Sequence, residues 1–276
     1  MSGRPYAEVI GDPIAHSKSP LIHNFWLGKL GIDAEYRACH VRSEELEDYF
    51  ARRREDAKWR GCNVTIPHKL NVLEFATERG GSVSNVGAAN CIVPRDGKLL
   101  AFNTDTDGVM AAIPNNGSPI CMIGAGGAAR AVMPILDFWV SAWALRVIAR
   151  DPIKAAAALD PENTYHVEFF GFDDAQDAVG GAEGIINASP LGMTGQPLMP
   201  QAVIDALYWS ASNAWVFDMV YAPLETDLLK AARANGLATV DGLVMLVGQA
   251  AVAFEKFFGQ PAPREHDAEL RALLTP

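Results

Sequence analysis

Ile120-Cys121-Met122-Ile123-Gly124-Ala125-Gly126-Gly127-Ala128-Ala129-Arg130 sets the architecture: four apolar residues run straight into a GxGxxA pattern, and a helix-like run comes next. A short apolar run bounded by glycine reads as a buried strand. Gly124 makes the turn out of it, Gly126 lets backbone approach a pyrophosphate, and Ala129 is the third small residue, where helix packs on strand. The free amides and positive dipole end at Gly127 and Ala128 complete an anion site. A dinucleotide-binding unit is the expectation.

Downstream, the next strand, Ala144 to Ala149, ends at Arg150-Asp151-Pro152, where a residue that meets the adenosine ribose belongs. Arg150 with Lys154 one turn later suits a 2′-phosphate; Asp151 suits an unphosphorylated 2′-hydroxyl. Further strands are expected near Val167 to Phe170, Gly184 to Asn187 and Trp215 to Asp218, with a helix over Thr226 to Asn235 stopped by Gly236. Leu243 to Phe258 is apolar at helical spacing. Met245 belongs to its core face, whereas Gln249 is a buried amide that needs partners and is a candidate ligand.

Upstream, Pro114-Asn115-Asn116-Gly117-Ser118-Pro119 is the most linker-like stretch, and a hinge is placed near residues 106 to 119. Before it, strands at Ala7 to Ile10, Ala34 to Val41 and around Asn63 alternate with helices at Ser19 to Leu30, Ser43 to Arg54 and Leu70 to Thr77. That alternation predicts a second α/β domain with a mostly parallel sheet. The first helix should bury Leu21, Phe25 and Leu27 or Leu30, with Ser19 as N-cap before Pro20. Ser17 and Ser19 sit at a strand-to-helix turn that suits a carboxylate, although capping explains Ser19 equally well. Arg95-Asp96-Gly97-Lys98 marks a hairpin.

Asn63-Val64-Thr65-Ile66-Pro67-His68-Lys69 ends a β-rich run with a lysine just past a proline, so the chain must turn there and expose the lysine. Asp105, in Asn103-Thr104-Asp105, comes after another strand-like run. Brought together, Lys69 and Asp105 would form a general acid/base pair. For either residue alone, a surface lysine and a capping aspartate is the plainer reading. Asn90, after Val86 to Ala89, is turn chemistry by default and can also donate and accept at a sheet edge.

The chain has 276 residues, a formal net charge of -10 and a pI near 5.1. The acidic balance speaks against nucleic acid and anionic membranes as partners. Arg52-Arg53-Arg54, followed by Glu55 and Asp56, reads as a solvated helix face. The four cysteines lack CxxC spacing and the six histidines lack metal-ligand spacing, so no metal is expected. Buried thiols, a start without an apolar signal core, and an uncharged apolar run, Gly242 to Phe254, too short to span a bilayer lead to the expectation of a cytoplasmic chain.

Taken together, these segments resemble the shikimate dehydrogenase family along nearly the whole chain. Gly11 to Pro20 is similar to its N-terminal serine motif, Asn63 to Lys69 to its catalytic-lysine motif, Gly87 to Asn90 to its asparagine segment, and Asn103 to Gly108 to its NTDxxG motif. Asn187 to Pro190, Phe217 to Tyr221 and Asp241 to Ala251 come in family order. The resemblance implies a substrate-binding and catalytic domain over residues 1 to 105 plus 242 to 276, a Rossmann-type NAD(P) domain over 106 to 241, and an active site in the cleft between them. It implies Lys69 and Asp105 as the catalytic pair, with Ser17, Ser19 and Tyr221 on a substrate carboxylate. Thr65, Asn90, Asp105 and Gln249 would bind ring hydroxyls, and Asp107, outside the motif, is a first-turn helix acid. Gly124, Gly126, Gly127, Ala128, Arg150, Asp151, Lys154, Met219 and Gly242 would meet the cofactor.

The implied reaction is NADP-dependent reduction of 3-dehydroshikimate to shikimate, by a monomer or homodimer. Where the family commonly reads Asn-Arg-Thr, this chain has Ala149-Arg150-Asp151, which brings NAD into play. The alternatives are a quinate or aminoshikimate dehydrogenase, and a relative that senses metabolite or nucleotide without turnover. Intact Lys69 and Asp105 oppose the last.

Overall fold

A computed structural model describes residues 3–114, 119–139, 145–159 and 167–275. Asn115 to Ser118 of the expected hinge and Ala144 of the expected second nucleotide-unit strand lie outside them. The chain divides into two compact units, Met1–Asp107 with Val247–Pro276, and Gly108–Leu246.

In the first unit the elements are β1 (Tyr6–Gly11), α1 (Ser19–Leu30), β2 (Glu35–His40), α2 (Leu46–Arg54), β3 (Trp59–Val64), β4 (Glu78–Arg79), α3 (Gly81–Val86), β5 (Cys91–Arg95), β6 (Lys98–Phe102) and the start of α4 (Asp105–Ala112). Their sheet has the order β2-β1-β3-β5-β6-β4. β1 pairs parallel with both β2 and β3, β4 pairs parallel with β6, and the β3/β5 and β5/β6 pairs are antiparallel. The β5–β6 turn places Asp96 and Gly97 at φ 50° and 75°, the backbone an Asp-Gly hairpin requires. Ile10, Cys62, Val64, Ile92 and Ala101 build the core with Phe50 and Trp59.

The second unit adds β7 (Ile120–Ile123), α5 (Gly127–Trp139), β8 (Leu145–Ile148), α6 (Pro152–Leu159), β9 (Glu168–Phe170), α7 (Ala175–Val179), β10 (Gly184–Asn187), α8 (Gln201–Ala206), β11 (Trp215–Asp218), α9 (Asp227–Ala234), β12 (Ala238–Val240) and the start of α10 (Gly242–Phe258). The order β12-β11-β10-β7-β8-β9 is parallel throughout, the doubly wound arrangement with its switch point between β7 and β10. Strand alternation sorts Cys121 and Ile123 into one core with Val203 and Leu229, and Ile120 and Met122 into the other with Val132 and Leu136. The chain ends in α11 (Asp267–Leu274), back in the first unit. Among the described residues no helix is long and apolar enough to cross a membrane.

Several local expectations are corrected. The helix expected over Leu70 to Thr77 is one 3-10 turn, Asn71–Glu74. Thr77 N–H donates to Leu99 O at 2.8 Å, which draws the chain onto the β6 edge as β4. The Gly/Ser/Asn-rich 81–86 segment folds as α3 because Val83 and Val86 are buried. Helix α1 buries Ile22, His23, Trp26 and Leu27, and Leu21 is left exposed. Ser19 is the first helical residue rather than the cap; Lys18 holds the cap position without a side-chain cap bond. Arg53 is not part of a solvated face: its Nε donates to the fully buried Glu8 at 2.7 Å, and Tyr49 and Arg37 fill the remaining acceptor positions. A buried carboxylate needs this set of partners.

Candidate active site

Lys69 and Asp105 meet. Lys69 leaves β3 through the Thr65–His68 turn, closed by His68 N–H donating to Thr65 O at 3.0 Å. Asp105 opens α4 at the exit of β6. Lys69 Nζ donates to Asp105 Oδ2 at 2.6 Å, with the two side chains 32% and 13% exposed, so the pair is largely shielded from water yet open on one side. Asn90 Nδ2 donates to the other carboxylate oxygen, Asp105 Oδ1, at 2.9 Å. Both oxygens of Asp105 are thereby fixed from different elements.

Asn90 is itself held. Its Oδ1 accepts from Thr104 N–H at 2.7 Å, and that contact sets the amide's orientation toward Asp105. Thr104, fully buried, has its Oγ1 3.0 Å from Asn90 Nδ2 and 3.3 Å from Gln249 Oε1 on α10. Asn103 Oδ1 accepts from Asp105 N–H at 3.1 Å and closes the turn. Asn90, Asp105 and Gln249, three of the residues singled out in the sequence, therefore stand with Lys69 in one hydrogen-bonded group. Sequence reasoning missed Thr104. The signal was present, because a threonine between two polar residues at a strand exit must either face water or pair internally.

Ser17 and Thr65 are half-buried and Ser19 is buried. Ser17 Oγ accepts from Ser19 N–H at 3.3 Å, and Thr65 N–H donates to Ile10 O at 3.0 Å. These bonds place Ser17 before α1 and Thr65 after β3, at the carboxyl end of the strands in the parallel part of the sheet.

In the second unit, Gly124 leaves β7 at φ 105°, and a Cβ there would lie 2.8 Å from Ser189 Cβ. Only glycine fits where the two loops at the switch point come this close. A Cβ at Gly126 or Gly127 would instead point into open space, and Ala129 is fully buried under the helix. That open cradle at a helix start fits a pyrophosphate. Asn187 and Asp218 pin the loops after β10 and β11: Asn187 Nδ2 donates to Asp218 Oδ1 at 2.8 Å and Thr226 Oγ1 donates to Oδ2 at 2.6 Å. Burial pushes the Asp218 carboxyl above the usual range. At Gly242 a Cβ would collide with the carbonyl oxygens of Met219 and Val220, so α10 begins hard against that loop. Tyr221 comes next in the loop, half-buried, in this same unit.

At the ribose end, Arg150 is exposed and Asp151 is engaged by α6. Asp151 Oδ1 accepts from Lys154 N–H at 3.1 Å, and its Oδ2 lies 3.3 Å from Lys154 Nζ. The Lys154 bonds hold the Asp151 carboxyl below its usual range.

The family model for the shikimate dehydrogenase substrate binding domain matches residues 9–92, and that for the shikimate 5′-dehydrogenase C-terminal domain matches residues 242–269. A shikimate dehydrogenase (NADP(+)) of Sphingopyxis alaskensis is 47% identical over 276 residues, covering 98% of this chain and 97% of the relative. The chain belongs to the shikimate dehydrogenase family.

Solved members of the family have the same architecture. The shikimate 5-dehydrogenase of Thermus thermophilus, in complex with NADP(H) and shikimate, superposes with a TM-score of 0.83 at 30% identity over 98% of this chain and 99% of that one. That of Listeria monocytogenes, in complex with shikimate and NAD, gives 0.85 at 29% identity over 98% of each chain. The fold class expected from the fingerprint and the alternating units is that of these relatives, a substrate domain and a Rossmann-like domain.

Proposed function

We propose that this chain catalyses the reversible, NADP-dependent reduction of 3-dehydroshikimate to shikimate. One observation carries the proposal: in a member of this family, Lys69 Nζ and Asp105 Oδ2 stand 2.6 Å apart with Asn90 on the second carboxylate oxygen. An ammonium held in that way has a donor and an orienting anion together, the arrangement general acid/base catalysis needs.

In the reducing direction Lys69 gives a proton to the substrate oxygen as it becomes a hydroxyl, and in the oxidising direction it takes that proton back. Asp105 aims the ammonium and offers an acceptor to a neighbouring ring hydroxyl. Ser17, Ser19 and Tyr221 would bind the carboxylate. Thr65, Asn90 and Gln249 would bind ring hydroxyls. The nicotinamide cofactor, when bound, supplies or accepts the hydride. Gly124, Gly126, Gly127 and Ala128 would hold its pyrophosphate; Met219 and Gly242 would line its path. Arg150 and Lys154 favour a 2′-phosphate. Asp151 is the specific observation that favours use of NAD as well, since it already occupies Lys154. The four cysteines are free thiols, and burial pushes Cys91 and Cys121 up to about 12, which supports a reducing compartment such as the cytoplasm.

The test is the appearance of reduced-nicotinamide absorbance with shikimate or quinate and NADP or NAD, in all four combinations. Shikimate with NADP should have the highest kcat/KM. Preference for quinate would overturn the substrate, and no turnover in any combination with cofactor bound would favour a sensing role.

A further inference from the structure

Tyr36 plays no part in the chemistry above, yet it is bonded to the residue that holds the Asn90 backbone. It sits on β2, 2% exposed, and its phenol reaches past β1 to Asn63 on β3, where Tyr36 Oη donates to Asn63 Oδ1 at 2.7 Å. The direction of that bond is fixed by the other end of the amide: Asn63 Nδ2 donates to Asn90 O at 3.2 Å, so Oδ1 must face the phenol. Asn90 O also accepts from Val64 N–H at 2.8 Å, and Asn90 N–H donates to Phe102 O at 3.1 Å. The backbone of Asn90 is thus clamped between β3 and β6. Its side chain is the one that donates to Asp105.

On its other side Tyr36 meets helix α1. The ring stacks on the fully buried His23 at 4.0 Å between centroids and 4° between planes. The tyrosine thus joins helix α1, through His23, to the Asn63–Asn90 frame. Removing the hydroxyl would leave Asn63 Oδ1, on a residue 5% exposed, without its donor.

We infer that Tyr36 is a positioning residue for the reaction: through Asn63 it fixes Asn90, and through Asn90 it fixes the Asp105 carboxylate that aims Lys69. This rests on the proposed dehydrogenase activity, and the experiment separates the two. Tyr36→Phe keeps the ring and its stacking on His23 and removes one oxygen. Losing one buried hydrogen bond corresponds to about a five- to thirtyfold fall in kcat/KM for shikimate, with the NADP dissociation constant within about twofold of wild type.

A merely structural tyrosine would lower activity whatever occupies position 90. Acting through Asn90, Tyr36→Phe should cost less than about twofold in an Asn90→Ala background. Wild-type kcat/KM in Tyr36→Phe, or a loss repeated in full on Asn90→Ala, would overturn the inference. Amide exchange needs no turnover: at Val64 and Thr104, both bonded to Asn90, it should accelerate about fivefold or more in Tyr36→Phe, and unchanged exchange at both also overturns the inference. A wild-type protein that leaves shikimate untouched defeats the proposed function instead, and the exchange result still decides the role of Tyr36. If Tyr36→Phe does not fold, Asn63→Ala, which leaves Tyr36 stacked on His23, carries the same expectations.

Discussion

Replacing Asp105 by asparagine keeps the shape of the side chain and removes its charge and one acceptor. In the native site both carboxylate oxygens accept, Oδ2 from Lys69 Nζ at 2.6 Å and Oδ1 from Asn90 Nδ2 at 2.9 Å. An amide has one oxygen and one NH2, so either orientation points its donor at a donor: at the ammonium or at the Asn90 amide. Asn90 cannot turn to compensate, because its Oδ1 is bound by the Thr104 N–H. The charged bond contributes about 1.5–3 kcal/mol and mispairing the second costs about 1–3 kcal/mol. Lys69 is a third exposed, so water screens part of the first figure. If these interactions are expressed in the transition state, Asp105→Asn loses on the order of 10²–10⁴ in kcat/KM. Initial rates of NADPH formation against shikimate, beside the NADP dissociation constant, measure it. A variant within threefold of wild type would refute the assignment of Asp105.

Two further expectations concern other parts of the chain. In Asp151→Thr the hydroxyl can still cap α6 while Lys154 is released, so the ratio of kcat/KM for NADP over NAD should rise severalfold; an unchanged ratio would show that the ion pair does not bear on the 2′-phosphate. His23 is fully buried, with neither ring nitrogen partnered among the described residues, and burial pushes it down to about 3. The unfolded chain therefore binds the extra proton first. Stability from this group is complete above about pH 6.5 and is lost as pH falls toward 3, by at most about 5 kcal/mol. His23→Phe should accordingly show a shallower loss of urea midpoint between pH 7 and 5 than wild type, and identical slopes would contradict it.

Much of this was legible in the sequence because local signals and tertiary structure agree. The GxGxxA run lies between β7 and α5 as its spacing requires, the Asp-Gly turn makes its hairpin, and Lys69 and Asp105 come from two strand exits. Where tertiary pairing overrides propensity, the signal fails. The Leu70 segment gives up a helix for a ladder bond to Leu99, and α3 forms from poor helix formers because two valines need burial. Arg53 turns inward for Glu8, which a run of three arginines does not announce. The Tyr36–Asn63–Asn90 path depends on the order β2-β1-β3 and on which face each strand turns inward. A strand order of that kind joins residues 27 positions apart, beyond the reach of periodicity.

The most direct test of the proposed chemistry is Lys69→Ala, measured for shikimate turnover with NADP and, separately, for NADP binding. Lys69 belongs to the first unit and the Gly124–Ala128 cradle to the second, so the two readouts should part. Turnover is expected to fall about a hundredfold or more while the NADP dissociation constant stays near wild type. Turnover close to wild type would contradict the assignment of Lys69 as the proton-transfer group.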